Sequence, residues 1–281
     1  MSRAIPFAKM VSAGNDFLVV DARRTPSSPW RRVSRSLCDR RYGIGADGLL
    51  VLEPSAKADV KMRVFNPDGS EADMCGNGAR CVAVYLRDSS GRSGKKSVSI
   101  ETKAGMLTAT VRGDRVAMRL TDPTAIRLHV PLRVNGHAVD ATVLNTGVPH
   151  AVVRVSRLDH VAVNELGRAL RFHRTLAPHG ANVDFIQSST AAKPLRLRTY
   201  ERGVEAETPA CGTGVAASAV AYVLRTARPR RQRHRVAVET RSGDRMAVSF
   251  TVIPAGRRVA VTDLVLEGRA RRICEGTVQW P

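Results

Sequence analysis

Two stretches of the chain are apolar almost all the way round a helical wheel: "ARCVAVYL", residues 79–86, and "VAASAVAYVL", residues 215–224. Side chains that small and that apolar on every side predict helices buried at the centre of their domains. Each is preceded by a strand-like run, "KMRVF" or "LRLRTY", and then by a turn-rich segment, "NPDGSEAD" or "ERGVEAETP". Each is followed by alternating strands, "SVSIETKAGMLTATV" and "RVAVETRSGDRMAVSF", the latter turning at "SGD". The pattern predicts an α+β fold in which each half is mostly β around one buried helix.

The two halves also match in sequence. "GADGLLVL" from Gly45 resembles "GANVDFIQ" from Gly180, "CGNG" from Cys75 resembles "CGTG" from Cys211, and "VSIETKAG" from Val98 resembles "VAVETRSG" from Val236, at offsets of 135, 136 and 138 residues. Three blocks in one order at a nearly constant offset predict a duplicated domain. The expected boundaries are residues 1–122 plus 268–281 for the domain carrying Cys75, and residues 123–267 for the domain carrying Cys211.

Composition narrows the function classes. The chain has 281 residues, enough to bury a substantial core, and a formal net charge of +20. Of the 45 basic residues only seven are lysines, and the 38 arginines are scattered over nearly every segment. The densest run, "RTARPRRQRHR" at residues 225–235, contains no aromatic side chain to stack a base and reads as a solvated connection. No nucleic-acid partner is expected. The longest apolar run, residues 215–224, is too short to cross a membrane, and the N-terminus lacks a secretory leader pattern, so a cytoplasmic chain is expected. Five widely spaced cysteines, without CxxC or His-x3-His, fit reduced thiols better than disulfides or zinc.

Cysteine is most often a small buried hydrophobe, and Cys38, Cys81 and Cys274 are assigned that role. Cys75 and Cys211 stand instead at the entrance to the buried helices. There the unpaired backbone amides and the helix dipole favour negative charge and lower a thiol pKa. The glycines of Gly76-Asn77-Gly78 and Gly212-Thr213-Gly214 would let a carboxylate approach those amides. If the duplicated halves face each other, one small ligand lies between two thiols. A thiolate on one side and a thiol on the other can remove an α-proton from an amino acid and return one to the opposite face. No pyridoxal-binding lysine motif or metal cluster is evident, so a cofactor-independent racemase or epimerase is the expected class, with no metal. "GIGADG", residues 43–48, satisfies GxGxxG but precedes a strand-like run rather than following one, which argues against a dinucleotide site. His150 has no partners at metal-binding spacing.

Through "FAKMVSAGNDFLVVD", "RRYGIGADGLL", "FNPDGSEADMCGNGARC", "NTGVPHAVV", "GANVDFI" and "YERGVEAETPACGTG", the chain resembles the diaminopimelate epimerase family over nearly its full length. The resemblance implies two pseudo-symmetric β domains, each around a central helix. It implies interconversion of LL- and meso-diaminopimelate in lysine and peptidoglycan synthesis, without a cofactor, by a homodimer in the cytoplasm. It further implies that Cys75 and Cys211 are the acid/base pair, with His150 and Glu201 tuning the thiols and orienting the substrate. Asn15, Asn66, Asn182 and Arg202 would grip the distal amino and carboxylate groups, and Gly76, Asn77, Gly212 and Thr213 would form amide cradles. Taken alone, the asparagines read as turn formers and His150 as a satisfied core histidine. Three features depart from the family pattern: Val148 where members commonly carry Asn, the "MVSAGNDF" start, and one extra residue in "ERGVEAETPACGTG". Val148 leaves open a racemase of another amino acid, such as histidine, on the same fold. A basic nucleic-acid-binding protein is the non-enzymatic alternative.

Overall fold

A computed structural model describes residues 3–25, 28–89, 97–134, 136–188, 193–228, 230–256 and 258–280. The chain divides into two compact units, Met1–Met118 with Gly268–Pro281, and Arg119–Glu267. The first half of the chain forms β1 (Arg3–Ser12), β2 (Asn15–Asp21), α1 (Trp30–Leu37), β3 (Gly48–Glu53), β4 (Val60–Phe65), β5 (Glu71–Ala72), α2 (Gly76–Ser89), β6 (Ser97–Thr102), β7 (Gly105–Arg112) and β8 (Arg115–Arg119). The remainder forms β9 (Thr124–Val134), β10 (His137–Asn145), β11 (Pro149–Arg154), α3 (Val163–Arg171), β12 (Asn182–Gln187), β13 (Leu195–Glu201), β14 (Ala206–Thr208), α4 (Gly212–Thr226), β15 (Gln232–Glu239), β16 (Arg245–Ala255), β17 (Arg258–Arg269) and β18 (Arg271–Trp280).

The two units repeat one ladder. In the first the order is β18, β1, β2, β3, β4, β6, β7, β8, antiparallel except for β2–β3 and β4–β6, with β5 added to the end of β4. In the second it is β9, β10, β11, β12, β13, β15, β16, β17, antiparallel except for β11–β12 and β13–β15, with β14 added to β13. The C-terminal strand β18 thus serves the first unit as β9 serves the second.

Parallel neighbours cannot be joined by a hairpin, so each parallel pair needs a crossover, and each crossover contains a helix. The crossovers between β4 and β6 and between β13 and β15 carry α2 and α4. α2 touches β1, β2, β4, β6, β7 and β18, and α4 touches β10, β11, β12, β13, β15 and β16, so each sheet curls round its helix. Residues 77–84 of α2 and 214–221 of α4 are buried without interruption, which is why these helices lack a polar face. The crossovers after β2 and β11 contain α1 and α3, which cover the opposite face. On that face Leu18, Val20, Leu49, Val51 and Phe65 pack with Trp30, Val33 and Leu37, and Val183, Phe185 and Tyr200 pack with Val163 and Leu170. The middle strands are therefore buried on both sides, which explains the continuous apolar run "LLVL".

The strands correct one detail of the sequence match. Gly45 and Gly180 occupy similar positive-φ turns, but beyond them the two ladders run one residue out of step with the match. The residue under α2 is Leu50, paired with Val64, and the residue under α4 is Asp184, paired with Thr199, not Phe185. The arginine-rich run is also not all connection: from Gln232 it is strand β15, whose alternation leaves Arg233 and Arg235 exposed, while Pro229 lies outside the described residues.

Gly167 of α3 sets how closely that helix approaches the sheet, because a Cβ there would lie 2.5 Å from Cβ of Tyr200. Gly to Ala inside a helix ordinarily stabilises by about 0.5–1 kcal/mol. Here overpacking reverses the sign, and Gly167→Ala is expected to lower stability by about 1–3 kcal/mol, read as a shift in the urea midpoint.

Candidate active site

The entrance to α4 is built from four adjacent segments of the second unit. Cys211 is the N-cap residue: its carbonyl accepts the Val215 N–H at 2.9 Å, and its Sγ lies 3.4 Å from Oγ1 of Thr213. The Thr213 carbonyl in turn accepts a hydrogen bond from Thr146 Oγ1 at 3.1 Å, tying the "NTGVPH" turn to the head of the helix. In that turn Gly147 has φ +108° and Val148 is half-buried.

Behind this helix end lies a buried polar group. His150 and Asp184 are fully buried, with Nδ1 of His150 2.7 Å from Oδ2 of Asp184. Asp184 Oδ1 accepts from Thr199 Oγ1 at 2.7 Å. The side chain of Asn182 accepts the Arg202 N–H at 2.7 Å through Oδ1, and its Nδ2 lies 3.4 Å from Nε2 of His150. A Cβ on Gly214 would fall 2.5 Å from Oδ1 of Asp184, and one on Gly78 would fall 2.9 Å from Cδ2 of Leu50. The second glycine of each cysteine loop is therefore required by packing against its own sheet. The first glycine is more open: among the described residues nothing approaches a Cβ at Gly76 within 4 Å, and at Gly212 Leu266 alone does, at 3.3 Å.

The electrostatics around Cys211 overturn the expectation that a helix N-terminus lowers its pKa. Burial pushes the thiol up, and the carboxylates of Glu201 and Asp184 push it further. The contacts from Thr213 and Gly214 oppose this but are outweighed. Burial also raises the Glu201 carboxyl, with Asp184 adding to the effect.

At the entrance to α2 the half-buried Cys75 caps the helix. Its carbonyl accepts the Ala79 N–H at 2.8 Å, and its Sγ accepts the Gly78 N–H at 3.4 Å. Asn77 donates to Oδ1 of Asn15 and accepts from the fully buried Arg80, whose Nε donates to Ser12 Oγ at 2.9 Å. Asn15 donates to Asp47 at 3.1 Å, and Arg40 bridges Asp47 and Asp16 at 2.7 Å each. Although burial alone would raise it, hydrogen bonds from Arg40 and Lys9 hold the Asp16 carboxyl far below the usual carboxylate range.

The structure thus gathers Cys75, Gly76, Asn77 and Asn15 at one helix entrance. It gathers Cys211, Gly212, Thr213, His150, Asn182, Glu201 and the backbone of Arg202 at the other. Asn66 is exposed in a turn, its Nδ2 2.9 Å from Ser70 Oγ, and is not bonded to either group. Sequence reasoning passed over Asp184, Thr199, Asp47 and Arg80. Each carried a signal: an acid inside the buried strand "NVDFIQ", its hydroxyl neighbour in "LRLRTY", an acid in the "GADG" turn, and a cation within an apolar helix.

A family model described as diaminopimelate epimerase matches residues 7–126 and 142–259. A diaminopimelate epimerase from Methanothrix thermoacetophila is 40% identical over 98% of this chain and 96% of its own length. One from Aquifex aeolicus is 41% identical over 87% of this chain and 90% of its own. In fold, the chain is similar to a PhzF-family phenazine biosynthesis protein from Bacillus anthracis, with a TM-score of 0.74 at 20% identity, covering 98% of this chain and 99% of that one. It is also similar to a hydroxyproline epimerase from Agrobacterium vitis solved with trans-4-hydroxy-L-proline, with a TM-score of 0.70 at 17% identity, covering 99% and 91%.

The raised Cys211 thiol has a measurable consequence. Methyl methanethiosulfonate is expected to modify Cys211 only at a pH above the ordinary thiol range of about 8.5. Glu201→Gln, which removes a neighbouring negative charge, is expected to move that onset to lower pH. Peptide mass mapping across a pH series reads both, and an onset unmoved by the substitution would rule out Glu201 as a cause.

Proposed function

The chain belongs to the diaminopimelate epimerase family, and on that premise we propose that it interconverts LL- and meso-diaminopimelate in the cytoplasm, with Cys75 and Cys211 as the two acid/base groups. The observation that carries the assignment is that these two cysteines, and no other pair, cap the first turns of the two topologically equivalent buried helices. A thiolate removes the α-proton from one face and the other thiol delivers a proton to the opposite face. In the reverse direction the two exchange roles without any change in chemical type. The amides of Gly76, Asn77, Gly212 and Thr213 lie in first turns where backbone N–H groups lack intrahelical partners. They are suited to the charge that grows on the substrate carboxylate as the α-carbon loses its proton.

Arg202 supports a substrate with a second amino-carboxylate end. Its guanidinium touches the His179 carbonyl at 3.4 Å and forms no ion pair among the described residues, leaving a fork that matches a carboxylate. Asn15, Asn66 and Asn182 are assigned to the same distal end, and His150 and Glu201 to the thiols. The active form is proposed to be a homodimer. Val148 favours one second reading, a racemase of another amino acid, because an apolar side chain stands where an amide would reach the distal group.

Two outcomes follow. In D2O the wild-type protein is expected to exchange the α-hydrogen of diaminopimelate, and Cys75→Ser or Cys211→Ser to lower epimerisation by at least about 100-fold. Polarimetry and mass spectrometry check this, and full turnover by either variant would sink the two-thiol assignment. Val148→Asn is expected to change KM more than kcat with diaminopimelate. A panel of other amino acids assayed alongside tests the second reading.

A further inference from the structure

The duplication provides an internal control for the buried polar group behind Cys211. His150 pairs with Asn182 across β11–β12, as Phe17 pairs with Gly48 across β2–β3. Asp184 pairs with Thr199 across β12–β13, as Leu50 pairs with Val64 across β3–β4. The first unit thus folds with Phe17, Gly48, Leu50 and Val64 at the positions where the second holds His150, Asn182, Asp184 and Thr199. The fold does not need the polar set.

Its hydrogen bonds have one consistent direction. Oδ1 of Asn182 is committed as acceptor to the Arg202 N–H, so the amide turns its NH2 group towards Nε2 of His150. Nε2 then carries a lone pair, the ring proton is on Nδ1, and Nδ1–H donates to Asp184. Thr199 has its hydroxyl hydrogen on the other oxygen of the same carboxylate. We infer that Asp184 is a positioning residue that holds His150 in the Nδ1–H tautomer, leaving Nε2 as the ring's only acceptor. The contact from Asn182 to that lone pair is long, at 3.4 Å. The groups facing the imidazole are Asp184 from β12, Glu201 from β13 and the amide of Asn182. Cys211, at the head of α4, lies beside both carboxylates.

This inference rests on the assignment of His150 to the acid/base chemistry proposed above, and the test separates the two. In protein labelled with 15N-histidine, the His150 signals are identified by their loss in His150→Gln. Wild type is expected to show the Nδ1–H tautomer. Asp184→Asn keeps the shape but removes the charge. It is expected to weaken the Nδ1–H preference, because a neutral amide oxygen is a weaker acceptor than a carboxylate. It is also expected to lower kcat by about 10- to 1,000-fold with KM within about threefold. The double variant Asp184→Leu with Thr199→Val installs the apolar pair of the other unit. It is expected to lose the Nδ1–H preference and, because the buried imidazole N–H is left without that acceptor, to melt at a lower temperature than wild type. A wild-type Nε2–H tautomer, or an unchanged tautomer in both variants, would overturn the positioning role. Absence of diaminopimelate turnover by the wild type would overturn the proposed function instead, while the tautomer measurement still decides the inference.

Discussion

A helix enclosed by its own sheet must still do something with the amides of its first turn, which have no partner within the helix. Each unit repeats this constraint. The crossover between parallel strands takes α2 or α4 through the core, and burial of residues 77–84 and 214–221 leaves no polar face to carry the first turn into water. Serine, threonine or aspartate is the usual choice at such an entrance. A cysteine there is a poorer cap but a titratable one. Its carbonyl and sulfur take up part of the unmet hydrogen bonding, as the Ala79 and Gly78 contacts to Cys75 show. The thiol is thereby fixed where backbone amides converge.

What surrounds each entrance differs, and the difference is chemical rather than architectural. Behind α2 the sheet offers Phe17, Leu50 and Val64, and the polar contacts run along the rim through Asn77, Asn15 and Asp47. Behind α4 the same positions hold His150, Asp184 and Thr199. A buried polar atom left without a partner costs about 1–3 kcal/mol, so such a group is tolerated only when closed on itself. Here it is closed by Thr199, Asn182 and the Arg202 amide, with Gly214 giving Asp184 the room it needs. Burial pushes the Cys211 thiol upwards, and the carboxylates of Glu201 and Asp184 add to this against the pull of the helix end. Two sites of common origin therefore present one reactive element in unlike electrical settings.

The fold was legible in the sequence to the extent that it rests on local periodicity and on repetition. The two all-apolar helices, the strands around them and the duplication could be read directly. The outer helices were less visible. In α1 the buried positions Trp30, Val33, Ser34 and Leu37 are interleaved with three arginines, and α3 is similarly charged along its exposed side. The one-residue slip between the two ladders was hidden because both faces of the middle strands are apolar, so the usual alternation that fixes register is missing. Of the candidate site, the cysteines and their glycine loops at the two helix entrances followed from residue type and position. The Asp184–Thr199 pair did not, since it is formed by cross-strand register, which pairs residues 15 positions apart.

The internal comparison also assigns the glycines of the cysteine loops more finely than their motif does. As a motif, CGNG and CGTG present two glycines with one apparent purpose, an open path to the helix amides. In the structure only the first of each pair is at all open, while the second sits against Leu50 in one unit and Asp184 in the other. One glycine concerns access and the other concerns packing. That the second must face an apolar side chain in one copy and a carboxylate in the other means the same small residue solves two different problems: close helix-to-sheet contact around α2, and room for a charged group under α4. Positions that repeat in sequence thus need not repeat in role. The polar set beneath α4 is the place where the two halves of this duplicated fold have diverged in chemistry while keeping the same strand pairing.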